Sequence, residues 1–272
     1  MDNRHLNLPG FATALVSGAT GALGSAICRR LLRAGWYVEM LGRDADRLEN
    51  ARQRIAADLQ ELERLGVCVV DINDDKSTRA AVQTVATRHP RLDLLVNAAG
   101  DGPVAPLLET TEAMWQGTLQ GKLMGTVRLT HAAAARMQLQ GQGHGHGHII
   151  IVNGTFSKEP HPLFPINSTV NCALTGFAKA ISHDLGPRGI RVNVVNPGIT
   201  SSPLWDETAR ALGERFGIDA AQVNAQLLAK NPLGRFATPD DVAEAVHLLS
   251  RSESAYVNGA TLDVDGGNVS AL

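Results

Sequence analysis

Short apolar runs alternate with helical patterns along almost the whole length of this 272-residue chain. Seven of these runs have the length of a strand and show no regular polar alternation, and they lie at 12–17, 36–41, 67–72, 92–97, 149–153, 190–196 and 260–264. Strands that are apolar throughout are typical of a parallel sheet whose two faces are both covered by helices. The sequence therefore predicts an α/β fold with a doubly wound, mostly parallel, seven-stranded sheet, in a single domain over 1–272.

Helical patterns fill the intervals between the apolar runs, at 21–33, 44–65, 76–88, about 109–137 and 168–185. Asp44 precedes the second of these helices as a cap, and Gly66 follows it as a stop. Thr238 and Pro239 mark the start of a last helix, with the threonine as its cap and the proline in its first turn. The segment 204–231 is a helical insertion after the sixth strand, where a parallel sheet places a cover over its substrate.

A low-complexity segment at 141–148 alternates glycine with His144, His146 and His148. Three imidazoles could bind a divalent metal, but no carboxylate accompanies them and the glycines leave the chain flexible. We therefore expect an exposed loop at this place and no metal site.

Charge and hydropathy argue against several classes of partner. The chain has 25 basic and 27 acidic residues, a net charge of −2, which gives no electrostatic reason to bind nucleic acid or a membrane surface. Its longest apolar runs are far too short to cross a bilayer, and residues 1–5 contain no apolar signal region. The three cysteines lack the spacing of a metal site. We expect a cytoplasmic protein that acts on a small-molecule substrate.

A glycine-rich loop joins the first strand to the first helix and predicts a nucleotide-binding site. Glycines permit the tight turn that brings the backbone close to a pyrophosphate, and the free amide groups at the start of a helix attract its charge. The residues predicted to contact the cofactor here are Ser17, Gly18, Thr20, Gly21, Ala22, Leu23 and Gly24.

The end of the second strand carries the signal for the type of cofactor. An acidic residue there would accept hydrogen bonds from the ribose 2′-hydroxyl of NAD, but the chain has Gly42 at that position, followed by Arg43. A guanidinium suits a phosphate, so the sequence favours NADP(H) over NAD(H); the alternative is that Arg43 is a solvated surface charge. Ligands of parallel sheets bind beyond the carboxyl ends of the strands, which adds to the predicted cofactor contacts Asp71, Ile72, Asn97, Ala98, Ala99 and Gly100.

Together these motifs resemble those of the short-chain dehydrogenases/reductases, close in pattern to the 3-oxoacyl-carrier-protein reductases. The resemblance extends over 12–267 and includes the loop at 17–24, the segment 94–100, the segment 191–198 and the segment 264–267. It implies a Rossmann fold in which Pro197, Gly198 and Ile199 line the nicotinamide and Ser202 or Thr200 reaches the cofactor. It also implies a homo-oligomer, either a tetramer or a dimer.

The catalytic residues of this family depart from their usual identities in this chain. The resemblance implies a serine, a tyrosine with a lysine four residues later, and an asparagine on the preceding long helix. The chain has two tyrosines, Tyr37 and Tyr256, and neither is followed by a lysine at that spacing. Alignment along the family pattern places Asn167 at the tyrosine position and Asn171 at the lysine position. It places Gly154 at the serine position and Lys122 at the asparagine position.

A different proton donor is needed, because an asparagine does not exchange a proton near neutral pH. Lys122 is one candidate, since a desolvated lysine can titrate near neutrality; the alternative is a surface cation. Thr155 follows Gly154 and could supply the missing hydroxyl. His161 is the candidate with an ordinary pKa near 7. Asn167 and Asn171 could hydrogen-bond the substrate carbonyl or, for Asn171, a ribose hydroxyl of the cofactor.

Three functions are compatible with this pattern. The first is an NAD(P)(H)-dependent oxidoreductase that acts on a carbonyl or an alcohol through an atypical proton relay. The second is a catalytically silent, nucleotide-binding homologue with a structural or regulatory role. The third is a non-redox enzyme of the same fold, such as a dehydratase or a cyclase. The sequence favours the first narrowly, because the nicotinamide side and the cover segment are retained.

Overall fold

In the computed structural model, residues 12–59, 62–140 and 147–271 are described, and they contain the predicted seven-stranded parallel sheet. The strands follow the order β3-β2-β1-β4-β5-β6-β7 and all pair in parallel. Their bounds are β1 Thr13–Ser17, β2 Tyr37–Gly42, β3 Leu65–Val69, β4 Leu94–Asn97, β5 Gly147–Val152, β6 Ile190–Pro197 and β7 Thr261–Val264. The strand order reverses between β1 and β4, and this reversal creates a crevice at the carboxyl ends of these strands.

Helices cover both faces of the sheet, as a Rossmann fold requires. Leu15 and Val16 on β1 point to opposite faces, and each is fully buried in a separate apolar cluster. This double burial explains why the strands show no polar alternation. The helices are α1 Ala22–Arg33, α2 Ala45–Leu59, α3 Asp75–Arg88, α4 Glu112–Thr118, α5 Gly125–Gln138, α6 Pro165–Leu185, α7 Pro203–Phe216, α8 Ala220–Leu228 and α9 Pro239–Ser250.

The predicted caps and the predicted helical insertion after the sixth strand are confirmed. The carboxylate of Asp44 accepts a hydrogen bond of 3.0 Å from the backbone amide of Arg47 at the start of α2. Thr238 and Asp241 form a reciprocal capping box at the start of α9. The segment predicted to cover the substrate consists of α7 and α8. In the part of the chain that the structure describes, no helix is both long enough and apolar enough to cross a membrane.

The boundary between the second helix and the third strand differs from the prediction. The helix predicted at 44–65 ends at Leu59, and the strand predicted at 67–72 begins at Leu65. Leu65 is fully buried and pairs with Val38 of β2. The Arg52 side chain donates hydrogen bonds to the carbonyl oxygens of Leu62 and Leu65. Tertiary contacts therefore end the helix earlier than the glycine stop at position 66 indicates.

The long helix predicted at about 109–137 is interrupted. A π-helical segment, Leu119–Met124, separates α4 from α5 and carries Lys122. Gly125 follows this segment and lies so close to Ile72 that a Cβ atom would come within 2.8 Å of the Ile72 side chain. Such π-helical insertions are frequent at functional sites, because they redirect a side chain within a continuous helix.

The prediction of an exposed loop at 141–148 is wrong for His148. His148 belongs to β5 and is buried, with hydrogen bonds of 3.2 Å to Arg191 and 2.9 Å to Asn193. Burial, and then the Arg191 charge, lower its pKa well below the ordinary value. His144 and His146 lie outside the described residues.

Candidate active site

The glycine-rich loop has the geometry of a phosphate-binding turn. Gly18 adopts a φ of +65°, and a Cβ atom there would lie 2.5 Å from the carbonyl oxygen of Ala98. A Cβ atom at Gly24 would lie 2.2 Å from the carbonyl oxygen of Gly18. The N-cap residue of α1 is Gly21, which has no side chain to cap the amides that follow it. The loop therefore presents backbone amides at a helix N-terminus, the arrangement that binds a pyrophosphate.

The ends of β1 and β4 are joined beside this loop. The backbone amide of Ala98 donates a 3.1 Å hydrogen bond to the hydroxyl of Ser17. The side chain of Asn97 is buried and donates to Thr130 of α5 at 3.1 Å. The structure thus brings together the predicted cofactor residues of these two strands, while the side chains of Ser17 and Asn97 are engaged by protein groups.

Basic residues follow β2 at the carboxyl edge of the sheet. Arg43 is exposed between the end of β2 and the start of α2. A surface cleft of about 640 Å³ lies beside the glycine-rich loop. Its walls hold two guanidinium groups and no carboxylate, and the lining residues are Thr20, Arg47, Asn50, Gln53, Arg54 and Ala57. This composition suits an anionic ligand.

Two further predicted cofactor residues lie just beyond β3. Asp71 is exposed, and its carboxylate accepts a 3.0 Å hydrogen bond from the amide of Asn73. Ile72 contacts Gly125 of α5, and its carbonyl oxygen accepts from Arg128. Both residues are therefore near the carboxyl edge of the sheet, as predicted.

The residues predicted to line the nicotinamide follow β6. The amide of Gly198 donates to the carbonyl oxygen of Val264 at 3.0 Å, and a Cβ atom at Gly198 would meet Asp265 at 2.8 Å. Pro197 is the last residue of β6, and Ile199 comes two residues later. The Ser202 hydroxyl caps α7 by accepting from the Trp205 amide at 3.2 Å. Ser202 therefore fixes where α7, the first helix of the predicted cover, begins.

A buried lysine lies at the centre of the candidate site. Lys122 is 6% exposed, and its Nζ donates a hydrogen bond of 2.8 Å to Oδ1 of Asn171, which is 2% exposed. Burial lowers the pKa of Lys122 to about 8, although the nearby charge of Asp101 acts in the opposite direction. The alternative of a surface cation is therefore wrong. The lysine can exchange a proton near neutral pH.

Each of the two asparagines of α6 packs against a glycine, close to where the Cβ atom of any other residue would lie. A Cβ atom at Gly154 would lie 2.8 Å from Nδ2 of Asn171, which donates to the Gly154 carbonyl oxygen at 3.4 Å. A Cβ atom at Gly102 would lie 1.8 Å from Oδ1 of Asn167, whose Nδ2 donates to the Gly102 carbonyl oxygen at 3.2 Å. At both places the glycine therefore leaves the room that the asparagine side chain fills.

Residues 18–268 match the profile of the family described as enoyl-(acyl carrier protein) reductase. The chain belongs to the short-chain dehydrogenase/reductase family. The short-chain reductase protein NovJ of Streptomyces niveus is 31% identical to it over 257 residues, which cover 94% of this chain and 93% of NovJ.

Solved structures of this family of oxidoreductases superimpose closely. L-Sorbose reductase from Gluconobacter frateurii, complexed with NADPH and L-sorbose, has a TM-score of 0.86 at 27% identity and covers 97% of this chain and 99% of its own. An NADPH-bound short-chain oxidoreductase from Pseudomonas aeruginosa, described as containing an atypical catalytic center, has a TM-score of 0.82 at 29% identity and covers 96% of this chain and 98% of its own.

Both tyrosines of this short-chain dehydrogenase/reductase lie at the amino edge of the sheet. Tyr37 is the first residue of β2, and Tyr256 is fully exposed in the segment that precedes β7. The crevice, with Lys122 and Asn171, lies at the opposite, carboxyl edge.

The remaining two catalytic candidates of this short-chain dehydrogenase/reductase differ in position. Thr155 begins a 3₁₀ turn, Thr155–Ser157, next to Gly154 and is half-buried. His161 is exposed, accepts a hydrogen bond at Nδ1 from the Leu163 amide and contacts the rings of Phe156 and Phe164. Burial, and then Lys230, lower the pKa of His161. Its described contacts do not include the lysine–asparagine pair.

Sequence reasoning missed two residues of this site. Asn196 on β6 accepts a hydrogen bond at 3.2 Å from the amide of Gly154, and its Nδ2 donates to Ser157 and to Asp263. Asp101 directly follows the predicted cofactor residue at position 100, and this adjacency was a usable signal. No local pattern distinguished Asn196 from the other polar residues at strand ends.

Proposed function

We propose that this chain is an NADP(H)-dependent oxidoreductase for a carbonyl–alcohol pair and that Lys122 is its proton donor. The reduced cofactor, when bound, supplies a hydride to the carbonyl carbon. The ammonium group of Lys122 then gives a proton to the carbonyl oxygen, which leaves a neutral amine and the alcohol. Asn171 holds the Lys122 nitrogen, and the Thr155 hydroxyl is the candidate hydrogen-bond donor to the same oxygen.

The observation that carries this proposal is the burial of Lys122. Its pKa of about 8 leaves it largely protonated at neutral pH and still able to release a proton. The fit between Asn171 and Gly154, and between Asn167 and Gly102, supports an adapted active site.

Two observations support NADP(H) as the cofactor. Arg43 follows β2 where an acid would favour NAD(H), and the neighbouring cleft presents Arg47 and Arg54 without a carboxylate. The solved relatives named above are NADPH complexes. The glycine-rich loop fits the pyrophosphate that both dinucleotides share.

The apolar residues under α7 and α8 support an inference about the substrate. An apolar cluster packs under α7 and α8 and includes Phe164, Leu212 and Val223, with Trp205 and Phe156 partly buried beside it. We infer a small-molecule substrate with an apolar portion. We also infer a cytoplasmic homo-oligomer, a dimer or a tetramer, whose mass light scattering would measure.

The test combines cofactor binding with turnover. Fluorescence titration should show tighter binding of NADPH than of NADH, and a panel of aldehydes and ketones should include substrates that oxidise NADPH. Lys122→Met should lower kcat by about 10² to 10⁴. Lys76→Met, which removes an exposed lysine on α3, should leave kcat unchanged.

Each contrary result identifies a different error. Tight NADPH binding without turnover of any carbonyl would favour the silent homologue. Conversion of a substrate with no change in the cofactor would favour a dehydratase or a cyclase. Full activity of Lys122→Met, together with a loss of activity in His161→Ala, would transfer the proton donor to His161.

A further inference from the structure

The buried Lys122 has an uncharged side chain as its hydrogen-bond partner. Its nitrogen has Asn171 of α6 as its hydrogen-bond acceptor, and Asn167 lies one helical turn before Asn171. On α5, the guanidinium of Arg128 is engaged by the backbone carbonyl groups of Ile72 and Gln120. Neutral amides solvate an ammonium group incompletely, so a buried lysine in these surroundings tends to lose its proton.

The segment after β4 packs on this lysine and continues directly into an acidic residue. Gly100 has a φ of +103°, and a Cβ atom there would lie 2.7 Å from Cβ and 2.9 Å from Cα of Lys122. This backbone is therefore packed directly on the lysine stem. Asp101 is the next residue; it keeps contact with solvent, although the surrounding protein removes enough water from its carboxylate to raise its pKa. Glycine adopts a positive φ readily. At Gly100 this conformation turns the chain at its contact with Lys122, and Asp101 follows the turn.

The electrostatic coupling is mutual. Desolvation raises the pKa of Asp101, whereas the Gly102 amide and the Lys122 charge lower it. Asp101 in turn raises the pKa of Lys122 against the larger effect of burial. Asp101 directly continues the backbone that packs on the Lys122 stem, so its charge is placed to act on the ammonium group.

We propose that Asp101 is a positioning residue whose carboxylate favours the ammonium form of the buried Lys122 amine. Asp101 acts from the solvent side and through the lysine, without a contact to the reacting atoms. The role of the carboxylate is independent of any substrate. Its catalytic consequence, a lysine that remains a proton donor at neutral pH, rests on the proposed function.

The direct test is a titration of the lysine side chains in the full-length protein. The chain has five lysines, so lysine-specific ¹³Cε labelling gives few NMR signals, and Lys122→Met identifies the signal of Lys122. Asp101→Asn should lower the pKa of Lys122, because an attractive charge is removed. The acid dissociation constant of Lys122 should therefore rise about threefold or more. Glu112→Gln removes an exposed charge on α4 and should leave the titration of Lys122 unchanged. Asp101→Glu retains the charge and should titrate like the unmodified protein.

The outcomes separate this inference from the proposed function. An unchanged Lys122 titration in Asp101→Asn, or an equal change in Glu112→Gln, would overturn the role of Asp101 whether or not the protein reduces a carbonyl. If no carbonyl is reduced, the titration still decides the role of Asp101. If a carbonyl is reduced, the alkaline limb of kcat/KM should move to lower pH in Asp101→Asn, while the Kd for NADPH remains the same.

Discussion

Replacement of Lys122 by methionine should stabilise the folded protein at neutral pH while it removes the proposed proton donor. Methionine retains the length and the apolar character of the lysine stem but carries no charge into the interior. The burial that lowers the pKa of Lys122 from its ordinary 10.5 to about 8 is also a cost to folding. A tenfold change in proton affinity corresponds to about 1.4 kcal/mol, so this cost amounts to about 3 kcal/mol.

The loss of one hydrogen bond offsets part of this gain. The Lys122 Nζ donates to Oδ1 of Asn171 at 2.8 Å, and an unsatisfied buried acceptor costs about 1–3 kcal/mol. We therefore expect Lys122→Met to raise the free energy of unfolding at pH 7 by about 0–2 kcal/mol. Between about pH 8 and 10.5 the unfolded chain binds more protons at this residue than the folded protein does, so the unmodified protein gains stability as the pH rises.

Urea denaturation at a series of pH values between 7 and 10.5 measures this difference directly. Other titrating groups contribute equally to both proteins and cancel in the comparison. Relative to Lys122→Met, the unmodified protein should gain most of about 3 kcal/mol across this range. Lys76→Met, at an exposed position, should show no such dependence. Parallel pH profiles for the unmodified protein and Lys122→Met would refute the claim that the lysine is buried as an ammonium group.

Three further predictions test the cofactor, the packing and the proton donor. Arg43→Ala should raise the Kd for NADPH about 10- to 100-fold and leave the Kd for NADH unchanged, because a hydrogen bond to a charged group contributes about 1.5–3 kcal/mol. Fluorescence titration measures both constants, and equal weakening of both would contradict the phosphate contact. Gly102→Ala should destabilise the fold by about 1–3 kcal/mol in urea, because its methyl group would lie 1.8 Å from a buried side-chain oxygen, whereas Gly117→Ala, with no atom within 4 Å, should not. Tyr37→Phe and Tyr256→Phe should retain the full kcat, and a large loss in either would place the proton donor on a tyrosine.

Local sequence signals predicted the fold well where one element dominates its own structure. Strands buried on both faces must be apolar throughout, so β1 and β6 were visible as unalternating runs. Caps at Asp44 and Thr238 act on amides only a few residues away, and their sequence positions therefore identified the helix starts. The prediction failed at Leu65 and at His148, where pairing with neighbouring strands draws flanking residues into the sheet.

By itself, the sequence determined the parallel sheet, the glycine turn at the first helix and the absence of a tyrosine–lysine pair at the family spacing, because each is a matter of residue type and of short spacing. Only the tertiary structure decided the proton affinity of Lys122. Its hydrogen-bond partner Asn171 lies 49 residues away in the sequence, and Asp101, whose charge acts on it, follows β4. The proton affinity of an amine depends on how much solvent the surrounding chain removes and on which charges remain near it, and both are properties of the packed molecule.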